Sequence, residues 1–157
     1  MNPLCLTTRL WELTLDLMAP YAERGVEAGC FWFGTRTPEA GFALVAGIPR
    51  QINRPRNFEI PSDALAELIT ALPPAGLVAV AQIHTHPGTD TGHSPWDNDL
   101  VVSRKLYSLV LPGYGRRPCP VDAVAVHEFS QGRWQRLSSD DATRRILHTP
   151  ELVDTRG

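Results

Sequence analysis

The stretch His84-Thr-His-Pro-Gly-Thr-Asp-Thr-Gly-His-Ser-Pro-Trp-Asp97 decides the fold. The apolar run at 76–83 leads directly into it and predicts a strand that ends at the two histidines. Because side chains alternate along a strand, His84 and His86 project to the same side and can bind one metal ion. A small polar loop then returns the chain to Asp97, which we expect to open a helix. Two imidazoles and one carboxylate are the ligands of a catalytic zinc ion whose fourth position is open to water.

The spacing within this stretch carries a family resemblance. Two histidines one residue apart are followed, after seven residues, by Ser94 and, after two more, by Asp97. With a proline after the second histidine, this pattern resembles the motif of the JAMM metalloproteases, also called MPN+ or Jab proteins. The resemblance runs from about residue 8 to residue 137. The short chain is most similar to the stand-alone prokaryotic Jab proteins.

The same family needs a glutamate upstream of the histidines. The segment Val26-Glu-Ala-Gly-Cys-Phe-Trp-Phe-Gly34 resembles the family's segment, and Glu27 takes the catalytic place. One departure is visible, since Gly29 precedes Cys30 here whereas the family often has Cys and then Gly. Glu27 is therefore the best match, and Glu23 is the weaker alternative.

The resemblance implies a role for each motif residue. His84, His86 and Asp97 would hold Zn²⁺. Glu27 would accept a proton from water and pass it to the leaving amine, and Ser94 would donate a hydrogen bond to the oxyanion. The implied substrate is the C-terminal tail of a ubiquitin-like protein, cut after its terminal Gly-Gly in a precursor or a conjugate. Relatives of this kind include proteins encoded beside E1- and E2-like proteins in antiphage defence operons, which are further expected partners.

Two other functions remain open. A peptidase that processes sulfur-carrier proteins, exposing Gly-Gly for thiocarboxylate chemistry, would differ only in the partner's tail. A non-catalytic MPN scaffold usually lacks one or more metal ligands, whereas all five motif positions are present here. A small-molecule zinc deaminase would need Pro-Cys-x-x-Cys, and Pro118-Cys-Pro120 supplies one cysteine only.

Residues beside the motif have plainer interpretations. Asp90 and Asp99 are expected to be solvated or to cap local structure. His93 is expected at the surface, with a supporting role behind the metal ligands as the alternative. Trp96 is expected to be a core or rim aromatic residue that could shield the site from water. His127 lies on a later strand, and we interpret it as structural rather than as a ligand.

The remaining periodicity predicts an α/β fold, one domain with a mostly antiparallel sheet flanked by helices. The resemblance implies that this domain is JAMM/MPN-like (cytidine-deaminase-like). The single domain covers 1–157, with a core at about 8–137 and a C-terminal helix and tail at 138–157. Alternation and helical spacing place helices at 7–22, 63–72, 97–105 and 139–147, strands at 76–83 and 107–111, and hairpins at 30–36 with 40–48 and at 121–129 with 133–137.

Helix-capping residues, prolines and a glycine set the expected boundaries of the helices. Thr7 or Thr8 would cap the first helix, Pro20 with Gly25 would end it, and Ser62 would cap the second. Residues 49–61 hold three prolines and three arginines and predict a surface loop with a short edge strand at 57–60. In the JAMM family this region helps to hold the substrate's tail.

The composition is that of an ordinary globular chain. A net charge of −2 gives no electrostatic footprint for nucleic acid and no basic patch for a membrane. The three cysteines are scattered and outside any C-x-x-C pair, which favours a reducing compartment. No secretory leader and no apolar run of about 20 residues is visible. We therefore expect a cytoplasmic protein with neither a nucleic-acid nor a membrane partner.

Overall fold

Two apolar segments form the centre of the sheet. β2 (Gly29–Arg36) is buried along its first six residues, and β6 (Val78–Thr85) along its last six. They pair antiparallel, with Gly29 opposite His84. Strands covered on both faces are apolar along their length rather than alternating, which explains the continuous hydrophobic runs in the sequence. The computed structural model describes residues 1–73, 76–101 and 103–149.

The elements alternate along the chain as an α/β fold requires. They are β1 (Leu4–Thr7), α1 (Thr8–Arg24), β2, β3 (Gly41–Gly47), β4 (Ile52–Arg54), β5 (Asn57–Glu59), α2 (Ser62–Ala71), β6, α3 (Pro95–Leu100), β7 (Tyr107–Leu111), β8 (Ala125–Ser130), β9 (Arg133–Arg136), α4 (Ser139–Arg145) and β10 (Ile146–Thr149). An eight-stranded, curled sheet has the order β10-β1-β3-β2-β6-β7-β8-β9, and β4 and β5 form a separate hairpin. Four neighbouring pairs in the large sheet are antiparallel and three are parallel. The expected α/β fold, a mostly antiparallel sheet flanked by helices, is confirmed.

Helix α1 begins and ends as its terminal residues dictate. The Thr7 hydroxyl accepts a hydrogen bond from the Leu10 N–H at 3.2 Å, which satisfies one free donor of the first turn. Gly25 adopts the left-handed conformation (φ 65°) and stops the helix. The prediction that Pro20 helps to end the helix is wrong, because Pro20 lies inside α1.

The core lies between α1 and the sheet. The indole rings of Trp11 and Trp32 meet edge to face with centroids 6.3 Å apart. The Trp32 N–H donates to the Thr14 hydroxyl at 2.8 Å, and the Trp11 N–H donates to the Cys119 carbonyl at 3.0 Å. Both indoles therefore bury apolar area without leaving a donor unpaired.

The boundaries of α3, α2 and β8 are among those that differ from the prediction. α3 occupies 95–100 rather than 97–105, because Ser94 caps it and Pro95 fills its first turn. α2 is capped by Pro61 without a side-chain hydrogen bond, so Ser62 does not act as the cap. Residues 121–123 form a short 3₁₀ turn, and the strand that follows begins only at 125.

The two outermost strands at one edge of the sheet were not predicted. β10 runs parallel to β1, with Leu4 opposite Ile146, and follows α4 at the point where the sequence predicts continuing helix. The tail expected beyond it, 150–157, lies outside the described residues. Within the described ranges, no helix is long and apolar enough to cross a membrane.

Candidate metal centre

Three side chains that could hold a metal converge where β6 ends and α3 begins. One ligand atom from each of His84, His86 and Asp97 lies within 4.8 Å of the other two. His84 Nε2 is 3.5 Å from Asp97 Oδ1, and His86 Nε2 is 3.4 Å from Asp97 Oδ2. Their side chains are 2%, 12% and 5% exposed, respectively. The structure thus brings together the three residues that the sequence predicts as ligands.

The His84 ring shows that these residues fit a metal ion. Its Nδ1 and Nε2 are both buried and have no hydrogen-bond partner in the part of the chain that the structure describes. Burial lowers the pKa of His84 to about 3, so the ring stays neutral and keeps the lone pair that a metal needs. A buried nitrogen without a partner costs free energy, and coordination would offset that cost. Two imidazole nitrogens and one carboxylate suit zinc and similar divalent ions.

His86 and Asp97 are oriented by their neighbours. His86 Nδ1 lies 2.9 Å from the Asp90 carbonyl oxygen, a contact that places the proton on Nδ1 and leaves Nε2 facing the cluster. Burial opposes ionisation of Asp97, yet its hydrogen bonds with His86 and Ser94 hold the pKa of this carboxyl well below its usual range. A deprotonated carboxylate is the form that binds a cation.

A capping box at α3 fixes Asp97 relative to Ser94. The Asp97 N–H donates to Ser94 Oγ at 3.2 Å, and the Ser94 N–H donates to Asp97 Oδ2 at 2.6 Å. Because the Ser94 oxygen accepts in this pair, its own O–H can still donate to another group. The residue predicted to stabilise an oxyanion therefore also positions a predicted ligand.

Glu27 lies beside the cluster, in the link between α1 and β2. Its side chain is buried, and the residue is 4% exposed. Its N–H donates to the Arg54 carbonyl at 2.9 Å, and its carbonyl accepts from Asn53 Nδ2 at 2.8 Å. Burial raises the pKa of Glu27 to about 7, against the opposing positive charge of His86. A carboxyl group with a pKa near neutrality can both accept and release a proton.

The ends of β2 and β6 are joined by contacts that the sequence did not indicate. The Thr85 hydroxyl accepts from the Ala28 N–H at 3.0 Å. Phe58 packs against the His84 ring with centroids 6.0 Å apart. A Cβ on Gly29 would collide with the Phe58 ring, so this close approach requires glycine. The glycine that departs from the family pattern is thus explained by packing beside His84.

His93 is a supporting residue behind the candidate ligands. Its Nδ1 is 3.0 Å from Asn98 Oδ1 and its Nε2 is 2.8 Å from Ser108 Oγ. Its ring stacks on His127 at 4.0 Å and lies 5.7 Å from that of His84. His93 is half-buried and links α3 to β7 behind the cluster, which fits the supporting role given as the alternative better than a position at the surface. His127 is buried outside the metal cluster, in agreement with its structural interpretation.

The other neighbours surround the site without joining the cluster. The Asp90 carboxylate accepts from the Gly92 N–H at 2.9 Å, the local capping that was expected. Trp96 is 49% exposed, and its indole N–H lies 3.4 Å from the Phe58 carbonyl oxygen. Glu23 is exposed on α1, whereas its alternative Glu27 is buried at the site.

Comparisons with known proteins agree with this geometry. A scan of the sequence against protein-family models gives no match. The chain is 28% identical over 134 residues to "Probable metalloprotease y4jG" of Sinorhizobium fredii (strain NBRC 101917 / NGR234), covering 81% of this chain and 82% of that protein. Its fold is similar to the solution structure of protein DSY2949 from Desulfitobacterium hafniense, with a TM-score of 0.69 and 16% identity over 95% of this chain and 94% of that one. The chain is thus similar in sequence to a protein named as a metalloprotease, and it brings together three residues that could hold a metal ion.

Proposed function

We propose that this chain is a metal-dependent peptidase of the JAMM type that cleaves after the C-terminal glycine of a ubiquitin-like protein. The observation that carries the proposal is the buried Glu27, with a pKa near 7, beside the His84, His86 and Asp97 cluster. The metalloprotease named among its relatives supports the coarser part, a peptidase that needs a metal.

The chain's own residues would perform the proton transfers. Zinc held by His84, His86 and Asp97 would act as a Lewis acid, lowering the pKa of a water molecule towards about 7 and polarising the scissile carbonyl. Glu27 accepts the proton of the attacking water and returns it to the leaving amine, for which a pKa near the working pH is the most effective. Ser94 donates a hydrogen bond from its hydroxyl to the carbonyl oxygen as negative charge develops there. Such a hydrogen bond is worth about 3 kcal/mol in comparable sites.

The surroundings of Glu27 favour an extended peptide as substrate. The hairpin of β4 and β5 stands beside the site and is joined to Glu27 by the two hydrogen bonds described above, one from backbone to backbone and one from the Asn53 side chain. This hairpin lies within residues 49–61, the region that helps to hold the substrate's tail in the JAMM family. A thin, flexible C-terminus could lie along this hairpin, near the exposed Trp96.

The geometry of the same site bears on the two alternative functions. A peptidase for sulfur-carrier proteins would use identical chemistry and differ in its partner. A non-catalytic scaffold has no need of a buried, proton-accepting Glu27, which disfavours it. The E1- and E2-like partners, the cytoplasmic location and the absence of nucleic-acid and membrane partners stay predictions.

The test pairs metal content with cleavage. The purified chain is assayed for bound zinc and incubated with ubiquitin-like fusions that carry a residue after Gly-Gly. We expect metal-dependent cleavage after the second glycine. Glu27→Gln should bind metal and lose cleavage, His84→Ala should lose both, and Glu23→Gln, the matched exposed control, should retain both. Failure to bind any metal would refute the peptidase, whereas metal binding without cleavage of these fusions would contradict the proposed substrate.

A further inference from the structure

The turn that joins β4 to β5, Pro55-Arg56, is fastened beside the candidate site. On one side, the Arg54 carbonyl just before the turn accepts the Glu27 N–H at 2.9 Å. On the other side, the Tyr114 hydroxyl donates to the Pro55 carbonyl at 3.1 Å. The turn therefore cannot move away from Glu27 without breaking contacts at both ends.

Tyr114 ties the same turn to a candidate metal ligand. Its backbone N–H donates to the His86 carbonyl at 2.7 Å, and the preceding Gly113 N–H donates to the Gly88 carbonyl at 2.9 Å. Tyr114 has φ 62° and ψ 16°, the left-handed conformation that residues other than glycine seldom adopt. Such a conformation persists where surrounding contacts impose it, and these contacts cluster at the site.

Arg56 places a positive charge at this turn that is not engaged in an ion pair with any of the described residues. The residue is exposed. Arg56 follows Arg54 by two residues, so the hydrogen bond from the Glu27 N–H to the Arg54 carbonyl places the turn that carries Arg56 beside Glu27. Arg50, six positions earlier, differs because its guanidinium is held by Asp63 at 2.9 Å and by Glu67 at 3.3 Å.

We propose that Arg56 determines specificity by binding a carboxylate of the substrate next to the scissile bond. The inference rests on the proposed peptidase function and narrows its substrate class to peptides with an acidic group near the cleavage point. A guanidinium donates two parallel hydrogen bonds to a carboxylate and repels the positive charge of a lysine or arginine. The carboxylate comes either from an acidic side chain or from a free C-terminus, since both offer the same two oxygens.

The experiment measures kcat/KM of the zinc-loaded chain on internally quenched peptides. The peptides contain Gly-Gly and differ only by Glu, Gln or Lys at the positions that flank it, each ending in a carboxylate or an amide. Arg56→Gln removes the charge, Arg56→Glu reverses it, and Arg56→Lys keeps it without the paired donors. Arg50→Gln is the matched control, since it removes an exposed arginine from the same loop. Binding of the same peptides to the Glu27→Gln protein, followed by fluorescence anisotropy, gives a readout that needs no turnover.

We expect the wild type to prefer Glu over Gln by about five-fold, the value for an exposed but well-oriented ion pair. Arg56→Gln should abolish this preference, Arg56→Glu should reverse it towards Lys, and Arg50→Gln should keep it. Dependence on the terminal carboxylate rather than on the Glu side chain would assign the source to the C-terminus. Equal cleavage of Glu and Lys peptides, or a preference unchanged in Arg56→Gln, would overturn the inference. If no peptide is cleaved, the peptidase proposal fails, and the anisotropy series alone decides whether Arg56 selects acidic peptides.

Discussion

Replacing His93 by phenylalanine should loosen α3 and with it the candidate metal centre. The substitution keeps an aromatic ring to stack on His127 but removes both ring nitrogens. Ser108 is fully buried and would lose the hydrogen bond that His93 Nε2 makes at 2.8 Å. Asn98 would lose its contact at 3.0 Å, although water can replace it because Asn98 is exposed.

The expected loss in the free energy of unfolding follows from the hydrogen bonds to Ser108 and Asn98. A buried hydroxyl left without a partner costs about 1–3 kcal/mol, and the solvent-exposed amide adds little. We therefore expect His93→Phe to lower the free energy of unfolding by about 2 kcal/mol. His93→Ala should cost about 1 kcal/mol more, because it also removes the stacking on His127. Since α3 carries Asp97, zinc affinity should fall by about 10-fold, the lower end of the range for residues that orient ligands.

The assay is urea unfolding, followed by tryptophan fluorescence in EDTA so that metal binding does not contribute to stability. Zinc affinity is measured separately by competition with a chelator. His148→Phe is the control, because His148 is an exposed histidine on β10 with one contact, to the Thr8 hydroxyl at 3.1 Å. The reasoning is refuted if His93→Phe destabilises the protein no more than His148→Phe and leaves zinc affinity unchanged.

Three further predictions concern packing, reactivity and pH. Gly29→Ala should cost about 1–3 kcal/mol of stability, because its Cβ meets the Phe58 ring, whereas Gly88→Ala, with no atom within 4 Å of the added carbon, should melt like the wild type. Burial raises the pKa of the Cys30 thiol, so iodoacetamide should label Cys30 only on unfolding; rapid labelling of the native protein, seen by peptide mass spectrometry, would contradict its burial. Burial lowers the pKa of His127 from 6.5 to about 3, so below pH 6.5 the unfolded chain binds a proton that the folded chain does not. The free energy of unfolding should therefore fall as pH drops from 6.5 towards 3, with His127 contributing up to about 1.4 kcal/mol per unit. Burial also lowers the pKa of His84 to about 3, so His127→Gln should reduce that slope without abolishing it. An unchanged slope in urea titrations at several pH values would exclude His127 as a contributor.

The candidate site could be predicted largely because its residues are close in the sequence. The histidines, Ser94 and Asp97 occupy one short stretch, and the apolar run before them specifies the strand that delivers them. Glu27 required the family resemblance, since nothing local distinguishes it from Glu23. Its burial at the end of β2 distinguishes the two only in the folded chain.

The parts that sequence reasoning missed depend on long-range pairing. β1 and β10 are four residues each, too short to show a period, and they form only because residues more than 140 positions apart meet. His93 and His127 stack because β8 pairs with β7, where His127 lies opposite Ser108. A register between strands is not written in either strand alone, so the supporting role of His93 could not be inferred from its own neighbourhood.

The groups of the candidate site are positioned by backbone hydrogen bonds and by the capping box that joins Ser94 and Asp97. The His86 N–H donates to the Leu111 carbonyl at 2.9 Å, Glu27 is held by the β4–β5 hairpin, and Asp97 by its capping box. His84 bears a cost, since both its ring nitrogens are buried without a hydrogen-bond partner among the described residues. A fold that leaves this ring unsatisfied is less stable than one with an apolar side chain there. Local instability of this kind is expected where a sequence serves binding rather than stability, which is why the His84 ring is the strongest physical argument for a metal at this site.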